Sequence, residues 1–389
     1  MRFTIFSLTI SILVIVFSCK STPDYTLKND KCKEILVPER INNYLQIDSI
    51  FANIRVIPLE TNNNCLIGQI AKAQFYDEKI FLLDSFRKLL VFDAKGKFLY
   101  NVGKVGRGPG EYPEIRDFDL DTNGNIYILT FQRIQVYSNS GRYLRNILFN
   151  FVTSDSKIFC NPLEFSVKSD GNFYLWGGSF GIKDNSNKQN FAMYEMTEKG
   201  KIVNKYFPLK YNTTQGFERH RFTRYNDSFL IEPNFGIDTI YSLGKEGLIG
   251  RYKIDFGNKT FKSTVPEGFT SLVEFKLKAD YLYYHSVEGF IETSDWIYFR
   301  FTHQKKVYNV YYSKVLSKTF VSCIYPVVNC RLAPRWITSQ NEGDFIGFSN
   351  SHIVIETQNE CKGKKVLQNI INPKVTDNPI MFICSLKKY

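Results

Sequence analysis

Six short, strand-like strings recur along this chain and limit what it can fold into. IFLLD (from Ile80), IYILT (from Ile126), FYLWG (from Phe173), SFLIE (from Ser228), IYFRF (from Ile297) and DFIGF (from Asp344) align on an aromatic second residue. Those residues are Phe81, Tyr127, Tyr174, Phe229, Tyr298 and Phe345, and the intervals are 46, 47, 55, 69 and 47 residues. An interval of this size holds about four short strands and their turns, and such a unit buries its faces only by stacking against copies of itself. The spacing predicts an all-β chain, a six-bladed β-propeller with four-stranded antiparallel blades. The fourth and fifth units carry extra residues, which sit in loops on the rim or on one face. A pair of packed β-sheets is the rival architecture, and it leaves the sixfold spacing unexplained.

The strings between the repeats agree. FDAKGKFL, LDTNGNIYIL, YSNSGRYL, VKSDGNFYLW and MTEKGKIV each read as a strand, a tight turn needing positive φ, and a strand. Almost no stretch carries sustained helical periodicity. A propeller must also close its ring, because an unclosed blade leaves a strand edge unpaired. FANIRVIPLE (Phe51 to Glu60) and NPIMFICSLKK (Asn378 to Lys388) read as strands outside the regular units. The chain termini are therefore expected to complete one shared blade.

The first residues do not belong to the propeller. Arg2 is the only charge before Lys20, and FTIFSLTISILVIVFSC between them is apolar with a few hydroxyls. That is the charged-then-apolar layout of an export signal. The run ends in Val16-Phe17-Ser18-Cys19 and resembles a bacterial lipoprotein signal, in which the cysteine is lipidated. Phe17 departs from the usual small residue, and an anchor helix with an incidental cysteine is the alternative. The expected organisation is a signal peptide over 1–18, a polar tether on lipidated Cys19 over 19–45, and the propeller over 46–389. The expected place is the cell envelope, as an outer-membrane lipoprotein facing the periplasm or the surface.

The segment from Asn101 to Ile147 resembles one NHL repeat. It has a glycine-rich lead (Gly103 to Tyr112), a D-x-x-G-N-I-Y string (Asp121 to Tyr127), R-I-x-V-Y (Arg133 to Tyr137) and a closing Gly141-Arg142. More widely, DSIFANIRVIPLET, LIGQI, FLLD, LLVFDAKGKFL and G-x-GPGEY resemble the six-bladed β-propeller lipoproteins of anaerobic Gram-negative gut bacteria. The match is good from about Asp48 to Leu148 and later survives as blade spacing. The resemblance implies an NHL-like six-bladed propeller on a lipid anchor, and no activity.

Chemical motifs are few. GRGPGEY (Gly106 to Tyr112) lacks the Lys-Ser/Thr of a phosphate-binding loop, and a strand rather than a helix follows it. It reads as the crossing from the rim of one blade to the centre of the next, with glycines for positive φ and Pro109 for stiffness. Arg107 and Glu111 either pair or tie the loop down; Arg107, Glu111 and Tyr112 are candidate ligand contacts on the loop face. DLDTNG (Asp119 to Gly124) starts like a calcium loop, but Thr130 stands where the bidentate Glu belongs, so a hairpin turn explains it better. In GFERHRFTRY, Arg219, His220, Arg221 and Arg224 lie among aromatics, a pattern suited to acidic sugars or other anions. A solvated basic loop, or the alternating faces of a strand, is the plain alternative.

Four histidines show no metal-binding spacing, there is no G-x-S-x-G elbow, and no C-x-x-C occurs among the eight cysteines. No metal and no cofactor are expected. Cys323 and Cys330 could close a hairpin; most cysteines read as small buried hydrophobes. Trp176, Trp296 and Trp336 read as blade packing, and one in the funnel would be a sugar platform. The net charge of +12 is dispersed; it favours anionic partners, including acidic glycans and lipid head groups, and nucleic acid is not expected for an exported chain. Two functions stay open. The first is a binding or scaffold module for a glycan, peptide or protein. The second is a carbohydrate hydrolase or lyase with carboxylates in the funnel, which rests on fold analogy.

Overall fold

A computed structural model describes residues 32–41, 47–150, 158–177, 182–184, 191–208, 222–232, 238–244, 247–260, 282–323, 332–360 and 371–389. Six four-stranded antiparallel sheets follow one another. Blade 1 runs Ile70–Tyr76, Lys79–Asp84, Leu89–Asp93 and Phe98–Asn101. Blade 2 runs Asp117–Leu120, Ile126–Leu129, Arg133–Tyr137 and Tyr143–Leu148, and blade 3 Glu164–Val167, Phe173–Trp176, Phe191–Met196 and Ile202–Pro208. Blade 4 runs Phe222–Tyr225, Ser228–Ile231, Thr239–Gly244 and Gly247–Asp255, and blade 5 His285–Glu292, Trp296–His303, Lys306–Ser313 and Lys318–Cys323. Blade 6 takes Trp336–Asn341, Asp344–Ser349 and Ile380–Leu386 and is completed by Phe51–Pro58 from the other end of the chain. The termini thus share a blade: Ile54 pairs with Cys384 and Pro58 with Ile380. All six repeated strings are the second strands of their blades.

Each hydrophobic cluster lies between two neighbouring blades, so the core is a ring of six interfaces. Phe81, Tyr127, Tyr174 and Tyr298 all face the following blade, as equivalent residues should. Phe229 and Phe345 face the preceding blade instead, and Leu230 and Ile346 take the forward position. The aromatic alignment is therefore one residue out in the fourth and sixth units. Side chains alternate along a strand, so a shift of one exchanges the two faces; both faces pack against a neighbouring blade here, and an aromatic fits either.

The hairpins between strands one and two, and between three and four, share one face of the ring, the turn face. The five turns picked out by their glycines all lie there, with φ between 74 and 84°. At Gly96 the requirement is strict. Its φ is +84°, and a Cβ would stand 2.3 Å from the carbonyl oxygen of Pro58 on the closing strand.

Lys33–Leu36, expected in the tether, is a fifth strand on blade 4. It pairs in parallel with the outer strand, Lys33 with Tyr252 through Leu36 with Asp255. Ile35 and Val37 are fully buried between blades 4 and 5. The Thr319 hydroxyl donates to Leu36 O at 2.6 Å and the Tyr284 hydroxyl to Glu39 O at 2.8 Å. A short strand with only two apolar residues resembles linker in sequence; the outer edge of blade 4 is what gives it a partner.

GRGPGEY makes the crossing from blade 1 to blade 2. Lys104–Val105 and Glu111–Tyr112 pair in parallel within it. The Glu111 carboxylate accepts from Gly108 N–H at 2.8 Å and pairs with Lys104 at 3.0 Å, which holds it below its ordinary carboxyl value, the Gly108 bond first among the causes. These Glu111 contacts lie within the crossing itself.

Candidate functional site

The innermost strands line a funnel on the propeller axis. Alternate residues of each strand turn the same way, so polar residues two apart on successive strands meet at one level. Lys72 and Gln74 of blade 1 reach Asp117 and Asp119 of blade 2, each 45 residues on, at 2.8 and 2.7 Å. Blade 3 answers with backbone N–H groups: Phe165 donates to Asp117 at 3.0 Å and Val167 to Asp119 at 2.8 Å. The Ser166 hydroxyl donates to Asp119 at 2.7 Å, and Arg224 Nη2 of blade 4 reaches past blade 3 to Asp119 at 2.6 Å and Val167 O at 2.8 Å. Innermost strands splay from their neighbours, and these carboxylates supply the acceptors that a continuous sheet would have provided.

The electrostatics separate the two acids. Burial alone would raise the Asp119 carboxyl, but the Arg224 and Lys72 cations and the Gln74 and Ser166 bonds outweigh it and hold the group below its ordinary value. For Asp117 burial wins over Lys72, and the carboxyl lies above its ordinary value. Lys72 is also buried, which pulls its ammonium down, yet Asp117 and Asp119 leave it above the ordinary lysine value.

A cavity of about 280 Å³ fills the funnel toward the turn face. On blade 1 its lining runs from Tyr76 at the mouth down to Lys72, and blade 6 contributes Thr338, Ser339 and Gln340. Three polar atoms of this lining are buried and have no protein partner: Gln74 Oε1, Arg224 Nε and Ser339 Oγ. A second cavity of about 510 Å³ adjoins it between blades 3 and 4. Both are bordered by Asp121, Thr122 and Arg224. Across the two linings, among the described residues, Lys72, Lys168 and Arg224 face Asp119, Asp121, Asp170 and Asp227, so the described lining carries no excess of positive charge.

A further buried carboxylate joins blades 4 and 5. Glu292 receives Arg251 through Nε and Nη2, both at 2.8 Å, with Tyr252 Oη at 2.7 Å and Lys314 Nζ at 2.6 Å. Burial would raise this carboxyl, and those donors lower it instead.

The residues singled out in the sequence are spread over the ring. Arg224 lines both cavities, although its guanidinium is already paired with buried Asp119. Arg219, His220 and Arg221 lie outside the described residues. Arg107 is exposed and Glu111 half-buried in the crossing, on the face opposite the turns. Tyr112 is turned into the core, 2 % exposed, with its hydroxyl donating to Val102 O at 3.0 Å. DLDTNG is a hairpin turn, with Asp121 Oδ1 accepting from Asn123 N at 2.9 Å and Asn125 N at 2.8 Å. Trp176 and Trp296 are buried between blades, and Trp336 packs at the blade 6–blade 1 interface; none borders either cavity. Cys323 carries a free thiol, and Cys330 lies outside the described residues. Cys19 lies outside them too. Among the described residues no cluster of three or more His, Cys, Asp or Glu is placed to hold a metal ion, and no helix is long and apolar enough to cross a membrane.

Gln74, Asp117, Ser166 and Ser339 were not singled out beforehand. Their signal is present: polar pairs two apart, Lys72/Gln74, Asp117/Asp119 and Glu164/Ser166, recur at the blade period.

With the geometry in view, comparison with known proteins places the chain. Residues 32–385 match the family described as a domain of unknown function, DUF4934. The chain belongs to that family. The matched span begins at the blade 4 strand, which fits its place in the fold. A crystal structure from Bacteroides fragilis NCTC 9343, of a protein whose description proposes export, superposes with a TM-score of 0.70 at 16 % identity, covering 92 % of this chain and 100 % of that one. This likeness shows the fold. A gluconolactonase of Xanthomonas campestris aligns over 90 % of this chain and 94 % of its own at 10 % identity, with a TM-score of 0.45 that carries no argument here. No curated protein matches the chain in sequence.

Proposed function

We propose that this chain is an exported binding module of the cell envelope whose funnel takes a neutral, hydroxyl-rich ligand, a glycan segment. One observation carries the reading. Gln74 Oε1, Arg224 Nε and Ser339 Oγ are buried without a protein partner in the lining of one cavity. A buried polar atom left unsatisfied costs about 1–3 kcal/mol, so this lining calls for a polar occupant. An acceptor, a donor and a hydroxyl together suit groups that both give and accept hydrogen bonds, as sugar hydroxyls do. Among the described residues the lining's cations are matched by acids, which favours a neutral sugar over an acidic one or nucleic acid.

Of the carboxylates lining the funnel, Asp119 is occupied in joining blades and Asp121 in closing its hairpin turn. The binding reading therefore stands ahead of the enzymatic one. The export-signal-like run over 1–18, just before Cys19, and the proposed export of the B. fragilis protein support the location. Lipid attachment at Cys19 to the outer membrane is part of the proposal, and loss of fatty-acid labelling in Cys19→Ser tests it.

The test of the function is a glycan array probed with the wild-type domain and with Ser339→Trp, which fills the cavity. The wild type binds at least one neutral glycan and the variant, folded by circular dichroism, loses it. Absence of neutral-glycan binding, or undiminished binding by folded Ser339→Trp, refutes the reading.

A further inference from the structure

The funnel does not end at the axis. The larger cavity continues outward from it along blade 4, from Arg224 on the innermost strand to Leu243 and Gly244 at the end of the third. Neighbouring strands lie about 4.8 Å apart, so the path from first to third strand adds roughly 10 Å to the funnel. The whole opening is longer than one sugar ring.

The two compartments differ in chemistry. The funnel offers amides and hydroxyls, whereas the groove has an aromatic floor. Phe229 and Tyr174 meet edge to face with ring centres 5.2 Å apart. Arg224 lies over Phe229 at 5.4 Å and Lys168 over Tyr174 at 5.3 Å. The Lys168 ammonium is held by Asp170 at 3.0 Å and by Glu195, so its charge is neutralised within the groove wall. Arg224 stands at the junction, with Nη2 fixed to Asp119 and Nε unpaired. Apolar ring surface beside polar groups of balanced charge is the combination that receives a sugar's C–H face and its hydroxyls together. Asn226 and Asp227 are exposed on the hairpin that borders the groove.

We infer that the ligand is a linear oligosaccharide held end-on, its terminal residue in the funnel and the following residues in the groove between blades 3 and 4. This rests on the funnel reading above. A monosaccharide fills the funnel alone. Longer chains gain contacts with the groove floor until the groove is filled at the rim.

The test is calorimetric titration with the malto-, cello-, xylo- and mannooligosaccharide series from one to six residues. In the series that binds, affinity rises at least tenfold from monosaccharide to trisaccharide and then levels. Asp227→Trp, an exposed substitution that obstructs the groove, brings the trisaccharide down to the monosaccharide's affinity and leaves the monosaccharide unchanged. Ser339→Trp abolishes binding at every length. Equal affinity for one and three residues, or a groove variant that weakens both lengths alike, overturns the end-on arrangement while the funnel reading survives. Failure of every series to bind in a Ser339-dependent way overturns both.

Discussion

Replacing Asp119 with alanine removes the acceptor on which three other blades converge. Four donors lose their partner: Gln74 Nε2, Ser166 Oγ, Val167 N and Arg224 Nη2. Val167 N–H and Ser166 are buried, and each orphaned group costs about 1–3 kcal/mol. Gln74 is only half-buried and turns toward the cavity. The Arg224 side chain is 37 % exposed, so water screens much of its lost pairing; it adds at most about 1 kcal/mol, against the 3–5 kcal/mol of a fully buried pair. The total is about 2–7 kcal/mol, read as a lower urea midpoint at unchanged slope. Asp119→Asn keeps one carbonyl acceptor and loses about half as much. The pH dependence has a definite sign. The folded carboxyl lies below its unfolded value of about 3.9, so its stabilisation is complete above that pH and fades as pH falls through the folded pKa. The gap between wild type and Asp119→Ala therefore narrows below about pH 4. A cost under about 1 kcal/mol at neutral pH would show that Asp119 does not join the blades.

Three further perturbations probe the rest of the frame. Ile35→Ala, at a fully buried residue of the added strand, lowers stability by about 2–5 kcal/mol in denaturant unfolding; no loss would mean the strand is not fixed to blades 4 and 5. Gly96→Ala combines a positive φ with a contact on Pro58 O and costs at least about 2 kcal/mol, read as a lowered melting temperature. Glu292→Gln weakens the blade 4–blade 5 junction by about 3 kcal/mol at neutral pH, since Arg251 and Lys314 lose their charged partner. The wild-type advantage there is full above the unfolded glutamate value of about 4.3 and is lost as pH falls through the lowered folded value, so the two proteins converge in acid.

Much of the ring was legible because its causes are local. A tight turn needs positive φ, and glycine marks it; the second strands are short, apolar and aromatic; the crossing at GRGPGEY needs a glycine-rich path. Registration in the fourth and sixth units was not legible. Phe345 is as buried as Phe81 and Tyr127, and Phe229 packs half-buried against the blade 3–blade 4 cluster, so aromatic content cannot tell which face leads. Lys33–Leu36 looked like linker because its partner, the outer edge of blade 4, is more than 200 residues away in the chain. The funnel was hidden for a related reason. Asp119 was visible as a polar residue in a hairpin, but its role comes from Gln74, Ser166 and Arg224, which only the ring brings together. Arg224 stood out through the basic and aromatic residues around it, yet its charge is taken by an acid 105 residues earlier. A cluster of cations in sequence reports local charge, and the neutrality of a site depends on what lies across it.

The most direct test of the account is a crystal structure of the domain soaked with the tightest-binding neutral oligosaccharide. The account predicts ligand density in the funnel, with sugar oxygens within hydrogen-bond distance of Gln74 Oε1, Arg224 Nε and Ser339 Oγ. Density on the opposite face or the rim, with the funnel holding only water, would contradict it.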